Sequence, residues 1–220
     1  MKKFLFSAAV LVSISTYAQK VRIGITSGVS ISNYQIQLDG NKESNKAMAG
    51  FAAGIIVDIP GDIPQFKHFS FQPAINFVQK GSKAEQPYGN ATAKSKIIVN
   101  YIEMPLNFLY NSRGKAVNFF IGGGPAVAIA ISGKAKYDDG TIKLSENLKF
   151  GRTDDASMTR GDLGANIIAG FSLNNGLLFS LNYNAGVINL FPHEAEGARL
   201  RSNYFGIKLG YMLKGNKRHK

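Results

Sequence analysis

The chain predicts an all-β fold of eight antiparallel strands, on three observations. Apolar and polar residues alternate with a period of two through most of its length. Eight such stretches are separated by long and short connections in turn, and helical periodicity is hard to find.

The opening MKKFLFSAAVLVSISTYA pairs Lys2 and Lys3 with a short apolar run from Phe4 to Val12 and a small-residue approach to Ala18. That pattern is a secretory signal peptide over residues 1–18, too short in its apolar part to span a bilayer as a helix. The barrel domain is then expected over 19–213, followed by a basic tail over 214–220 that carries Lys214, Lys217, Arg218 and Lys220.

The first strand, 21–34, sets Val21, Ile23, Ile25, Val29 and Ile31 against Gly24, Thr26, Gly28 and Ser30. The second, 47–59, sets Phe51, Ile55 and Val57 against Gly50, Ala52 and Gly54. In the third, 68–80, Phe69, Phe71, Ile75 and Phe77 oppose Ser70, Gln72 and Asn76. The fourth, 96–110, alternates Ile98, Ile102, Met104, Leu106 and Phe108 with Glu103 and Asn107. The fifth, 116–131, has Phe119, Ile121, Val127 and Ile129 on one face and Gly122 and Gly124 on the other. The sixth, 161–173, divides Leu163, Ile167 and Phe171 from Asp162, Gly164, Asn166 and Gly170. The seventh, 176–188, divides Phe179, Leu181, Tyr183 and Val187 from Ser180, Asn182, Asn184 and Gly186. The eighth, 202–213, divides Phe205, Ile207, Leu209, Tyr211 and Leu213 from Gly206, Lys208 and Gly210. Pro73, Pro105 and Pro125 fall inside these stretches and are expected at bulges or strand ends, since each removes a ladder donor.

Each stretch is long enough for the roughly 9–11 residues that a tilted transmembrane strand needs. The connections 35–46, 81–95, 132–160 and 189–201 are long, whereas PGDIPQFK, NSRGK and NN are short. Long loops at one end and tight turns at the other are the pattern of an exported up-and-down barrel with both termini periplasmic. The face opposite the bulky one is glycine, serine and asparagine. A solvated outer surface would carry many Lys and Glu side chains. Small polar groups fit instead inside a narrow closed barrel, which places the bulky face outside, in lipid. The expectation is therefore an eight-stranded antiparallel up-and-down transmembrane β-barrel with a lipid-facing apolar exterior. Tyr34, Tyr110, Tyr183, Tyr204 and Tyr211 are candidates for its interfacial aromatic girdles.

Composition narrows the function. Cysteine is absent, which removes disulfides and thiolate chemistry. Four of the positive charges behind the net +12 sit in the tail and the others are scattered through loops with acids between them, so nucleic acid is not an expected partner. Glu103, Asp162 and Lys208 share the inward face, where Glu103 and Lys208 can reach across the lumen as a structural plug. The pairs Asp138-Asp139 and Asp154-Asp155 lack EF-hand spacing, and the cluster His193-Glu194-Ala195-Glu196 has no second histidine to complete a metal site. His193 is the one histidine an outer-leaflet enzyme could draw on, with Ser202 or a loop Asp as its companion. The glycines at 122–124 lack the lysine of a phosphate loop and relieve crowding instead. No catalytic residue, metal or cofactor is expected, and the chain is read as a non-enzyme.

The order of YIEMPLNFLY, FFIGGGPAVAI, GDLGANIIAGF, LNYNAGVINL and NYFGIKLGYML resembles the outer-membrane β-barrel family that includes the PorT-like proteins of Gram-negative bacteria, from about Val21 to Leu213. The resemblance implies an outer-membrane barrel without a catalytic motif, some of whose relatives are linked to secretion or gliding machinery. The chain departs from such barrels in continuing past Leu213 rather than ending on an aromatic residue. Expected partners are outer-membrane lipid and a protein at the extracellular loops, with the barrel itself a monomer. The competing expectation is a soluble periplasmic or secreted barrel that binds an apolar ligand. The two differ in whether Phe71, Phe77, Phe179 and Leu209 lie outside or inside.

Overall fold

The computed structural model describes residues 21–38, 41–88, 91–114, 116–153, 155–192 and 198–213. The expected signal peptide and basic tail lie outside them. Ten strands run in chain order as β1 (Arg22–Leu38), β2 (Asn41–Ser44), β3 (Lys46–Pro60), β4 (Phe69–Tyr88), β5 (Ala91–Asn111), β6 (Val117–Asp138), β7 (Lys143–Asn147), β8 (Gly161–Leu173), β9 (Leu177–Gly186) and β10 (Arg199–Met212). β2 and β7 are short additions to β1 and β6; the other eight form the wall. Every neighbour in the wall is antiparallel, and β10 pairs with β1 from Gly24 opposite Met212 to Gln37 opposite Arg199. The sheet is thus a closed ring whose backbone groups pair around the whole circumference, the condition for strands to sit in hydrocarbon.

The faces sort as the alternation predicts. Ser30, Asn76, Asn107, Asn166 and Asn182 are buried in the lumen, while Phe108 is 64% and Leu209 66% exposed. Phe71, Phe77 and Phe179 stand on the same outer face. Phe71 packs on Phe108 with ring centroids 4.9 Å apart, Phe77 on Phe51 at 6.5 Å, and Phe179 on Phe171 at 5.5 Å. The soluble reading required these rings inside. The central cavity is also only about 20 Å³, room for roughly one water and for no apolar ligand.

Three local expectations need correction. Two of the long connections, 35–46 and 81–95, are strand for most of their length. β4, β5 and β6 run for 20, 21 and 22 residues, about twice what a crossing requires, so 81–95 is nearly all hairpin and β7 extends β6 further. The prolines sit at neither bulges nor strand ends. Pro73 is opposite Leu106, Pro105 opposite Ala126 and Pro125 opposite Ala165, and the register is the same before and after each gap in pairing next to them. A proline withholds one donor from one neighbouring strand, so the ladder on its other side continues. Lastly, Tyr34 and Tyr204 are buried in the lumen at 2% exposure each, while Tyr110, Tyr183 and Tyr211 face outward. Tyr34 shares parity with Ser30 and Ser32, and Tyr204 with Gly206 and Lys208, so alternation carries both inward.

The glycines of β6 show how closely the wall is packed. A Cβ on Gly122 would meet the carbonyl oxygen of Phe108, and one on Gly124 that of Leu106. Only a hydrogen fits at either place without moving backbone.

Candidate functional site in the lumen and at its extracellular mouth

The inward alternation of β4, β5, β8 and β10 brings charged and aromatic side chains together near the extracellular end of the lumen. Lys80 Nζ lies 3.0 Å from Glu103 Oε2 and 3.1 Å from Asp162 Oδ2, with Lys80 and Glu103 each only 1% exposed. Ser202 Oγ donates to Asp162 Oδ2 at 2.9 Å, and Lys80 Nζ to Ser202 Oγ at 3.4 Å. The hydroxyl of Tyr204 donates to Glu103 Oε1. The same ammonium sits 4.9 Å from the ring centroids of both Tyr101 and Tyr204, where the ring faces attract a cation. Tyr34 joins through its hydroxyl, 3.4 Å from that of Tyr101.

Of the three residues expected to cluster, Glu103 and Asp162 meet, but the cation between them is Lys80 rather than Lys208. Lys208 is buried lower in the lumen at 7% exposure, and no carboxylate among the described residues comes within ion-pair distance of it. Glu103 is directly opposite Asn76 on the adjacent strand, and Lys80 lies farther along the inward face of that same strand. Its four-carbon stem therefore reaches Glu103 without crossing the lumen. Two buried carboxylates and one ammonium leave a net −1, and Lys208 brings the interior set to neutrality, which low-dielectric burial favours. Lys80, Ser202, Tyr34, Tyr101 and Tyr204 were all absent from the expected cluster. Parity was the available signal for Lys80, which has the inward parity of Gln72 and Asn76 but sits where the strand was expected to end.

Below this network an amide ladder fills the barrel. Asn166 Nδ2 donates to Asn107 Oδ1 at 2.8 Å, and Asn182 Nδ2 to Asn166 Oδ1 at 3.2 Å. Above it, Tyr34, Val99, Tyr101, Ala128, Ala130, Met158 and Leu190 form an apolar cluster. Met158 and Leu190 come from the connections after β7 and β9, which are tied together by Thr159 N donating to Leu190 O at 2.9 Å. At the periplasmic end Arg22 Nη2 pairs with Asp58 Oδ2 at 2.6 Å beside an open vestibule of about 630 Å³. The middle of the lumen is thus closed by an apolar cap, a charge network and an amide ladder in succession.

Among the described residues no group of three or more His, Cys, Asp or Glu side chains is placed to hold a metal. Asp154 and the cluster at 193–196 lie outside the described residues. Asp138 and Asp139 cap the β6–β7 turn. Asp138 Oδ1 accepts from Gly140 N at 3.0 Å, and Asp139 Oδ1 accepts from Thr141 N at 2.9 Å and Ile142 N at 2.7 Å, while Gly140 takes φ +90. Those backbone donors hold the Asp139 carboxyl below its usual range. A depressed carboxylate contributes order that is complete above its unfolded value of about 3.9 and is lost as pH falls through the lower folded value. The amide resonances of Thr141 and Ile142 should hold their positions from neutral pH down to about pH 4 and move only below it. Movement centred near pH 6 would show that another group controls the turn.

A family model for an outer membrane protein beta-barrel domain matches residues 17–192. No curated protein matches the sequence. Among solved structures the chain is similar to Ail, the attachment invasion locus protein of Yersinia pestis, at 13% identity and TM-score 0.41, covering 87% of this chain and 98% of that one. It is similar to OprG of Pseudomonas aeruginosa at 12% identity and TM-score 0.39, covering 87% and 95%. Neisserial surface protein A is a third, at 10% identity and TM-score 0.36, covering 86% and 96%. The matched span takes in the wall from β1 to β9, so the chain belongs to the outer membrane protein beta-barrel domain family and is a protein of the outer membrane.

Proposed function

We propose that the protein is a structural and interaction protein of the outer membrane that offers its extracellular hairpins to a protein partner and conducts no solute. The Lys80–Glu103–Asp162 network serves in this reading as a rigid plug, with Lys208 completing its charge. The observation that carries the interaction role is an apolar pair held out in water. Tyr137 on β6 is directly opposite Leu144 on β7, 37% and 54% exposed, on a hairpin beyond the wall. Exposed apolar side chains grouped on a surface element mark contact sites. The resemblance to PorT-like barrels extends the proposal to a partner within secretion machinery, and it is the only support for that extension.

Photo-crosslinking in intact cells tests this. A photoreactive residue at Leu144 is expected to give one discrete protein adduct, lost in Y137S, while the same residue at Leu209 gives none. Absence of an adduct at Leu144, together with solute release from liposomes containing the purified barrel, would overturn the reading in favour of a pore.

A further inference from the structure

The strand register places four lysines in one row near the extracellular end of the wall. Lys46 on β3 is opposite Lys83 on β4, Lys83 is opposite Lys96 on β5, and Lys96 is opposite Lys136 on β6. Direct cross-strand neighbours share a face and stand about 5 Å apart, and like charges so placed repel. Three consecutive pairings of this kind oppose the fold unless something anionic lies against them. Among the described residues Lys46 alone in the row forms an ion pair, with Glu85 at 2.5 Å, and the same carboxylate also attracts Lys83 without contact. No carboxylate among the described residues comes within ion-pair distance of Lys83, Lys96 or Lys136.

Position identifies what can neutralise them. Lys96 has the parity of Ile98, Ile102 and Phe108, and so faces outward from the wall. Ile98 is itself opposite Lys134. The outward apolar band therefore gives way to lysine within one or two outward steps on β5 and β6, at the depth where hydrocarbon meets headgroups. Cytoplasmic and periplasmic anions do not reach this side. The phosphate groups of the lipids in the outer leaflet do, and each lysine near an anionic lipid surface contributes attraction.

We propose that the row Lys46, Lys83, Lys96 and Lys136 is a docking strip for phosphorylated lipids of the outer leaflet. The strip holds lipid against the β4–β6 side of the barrel and relieves the repulsion built into the register. It is separate from the hairpin tip assigned to a protein partner, and either can fail without the other.

The test titrates diphosphorylated lipid A into the full-length barrel in neutral detergent and counts bound lipid by native mass spectrometry. Wild type is compared with K83Q/K96Q/K136Q and with a control of equal charge loss, K67Q/K143Q/K149Q, after heat-modifiable migration confirms that each is folded. The row variant is expected to bind on the order of a hundredfold more weakly, three lysines each contributing several-fold, and the control to match wild type. Dephosphorylated lipid A should bind wild type as weakly as phosphorylated lipid binds the row variant. Equal loss in both triple variants would reduce the effect to net charge and overturn the strip. Displacement of the lipid by equimolar inorganic phosphate would show a site for free anion and overturn a lipid site.

Discussion

Lys80→Met is expected to destabilise the barrel by about 3–5 kcal/mol, because it leaves two buried carboxylates facing each other without a cation. Lys80 Nζ is the common partner of Glu103 and Asp162, and both acids are buried. Removing one partner of a buried set is far more costly than removing all of it. The triple variant K80M/E103M/D162L, apolar at all three places, should recover most of the loss. The urea midpoint of the barrel refolded into vesicles provides the measure. A single variant within about 1 kcal/mol of wild type would mean that water already reaches the three groups and that they form no sealed plug.

Ile167→Arg is expected to cost about 2–4 kcal/mol, the cost of a cationic side chain on the lipid face near the midplane. Ile167 stands midway along β8 and is 62% exposed. On a soluble surface a residue so exposed would accept arginine at a cost within about 0.5 kcal/mol. Leu144→Arg supplies that comparison, since Leu144 is 54% exposed on β7, clear of the wall. Similar exposure with opposite outcome separates lipid from water as the surrounding solvent. If both variants refold into vesicles with wild-type midpoints, Ile167 is not in contact with lipid.

The wall was legible because one period governs it. In β4, the alternation of Phe69, Phe71, Ile75 and Phe77 with Ser70, Gln72 and Asn76 fixes both the strand and its faces, and a slip of one residue would invert them. The polar ends of the strands were less legible. From Gln79 on, the sequence QKGSKAEQPY loses its apolar face, because above the hydrocarbon neither side of the hairpin meets acyl chains. Period-two contrast vanishes there although pairing continues from Lys80 opposite Val99 to Tyr88 opposite Ala91. That loss hid Lys80, and with it the partner of Glu103 and Asp162. The two lumen tyrosines were misplaced for a different reason. Tyr34 and Tyr204 lie near the extracellular ends of β1 and β10, where girdle residues belong, and only their parity shows that they point inward. The row of lysines was out of reach of sequence altogether. Lys46, Lys83, Lys96 and Lys136 are far apart in the chain, and only the register of three strand pairs aligns them.

The claim on which the rest depends is that this ring of strands stands in the outer membrane with its aromatic face in lipid. Fractionating cells that express the full chain, and running the outer-membrane fraction on a gel with and without boiling, tests it most directly. The barrel is expected in that fraction, migrating faster unboiled than boiled, because a closed ring of paired strands resists detergent until heated. Recovery in the soluble periplasm, with one mobility whether boiled or not, would contradict it.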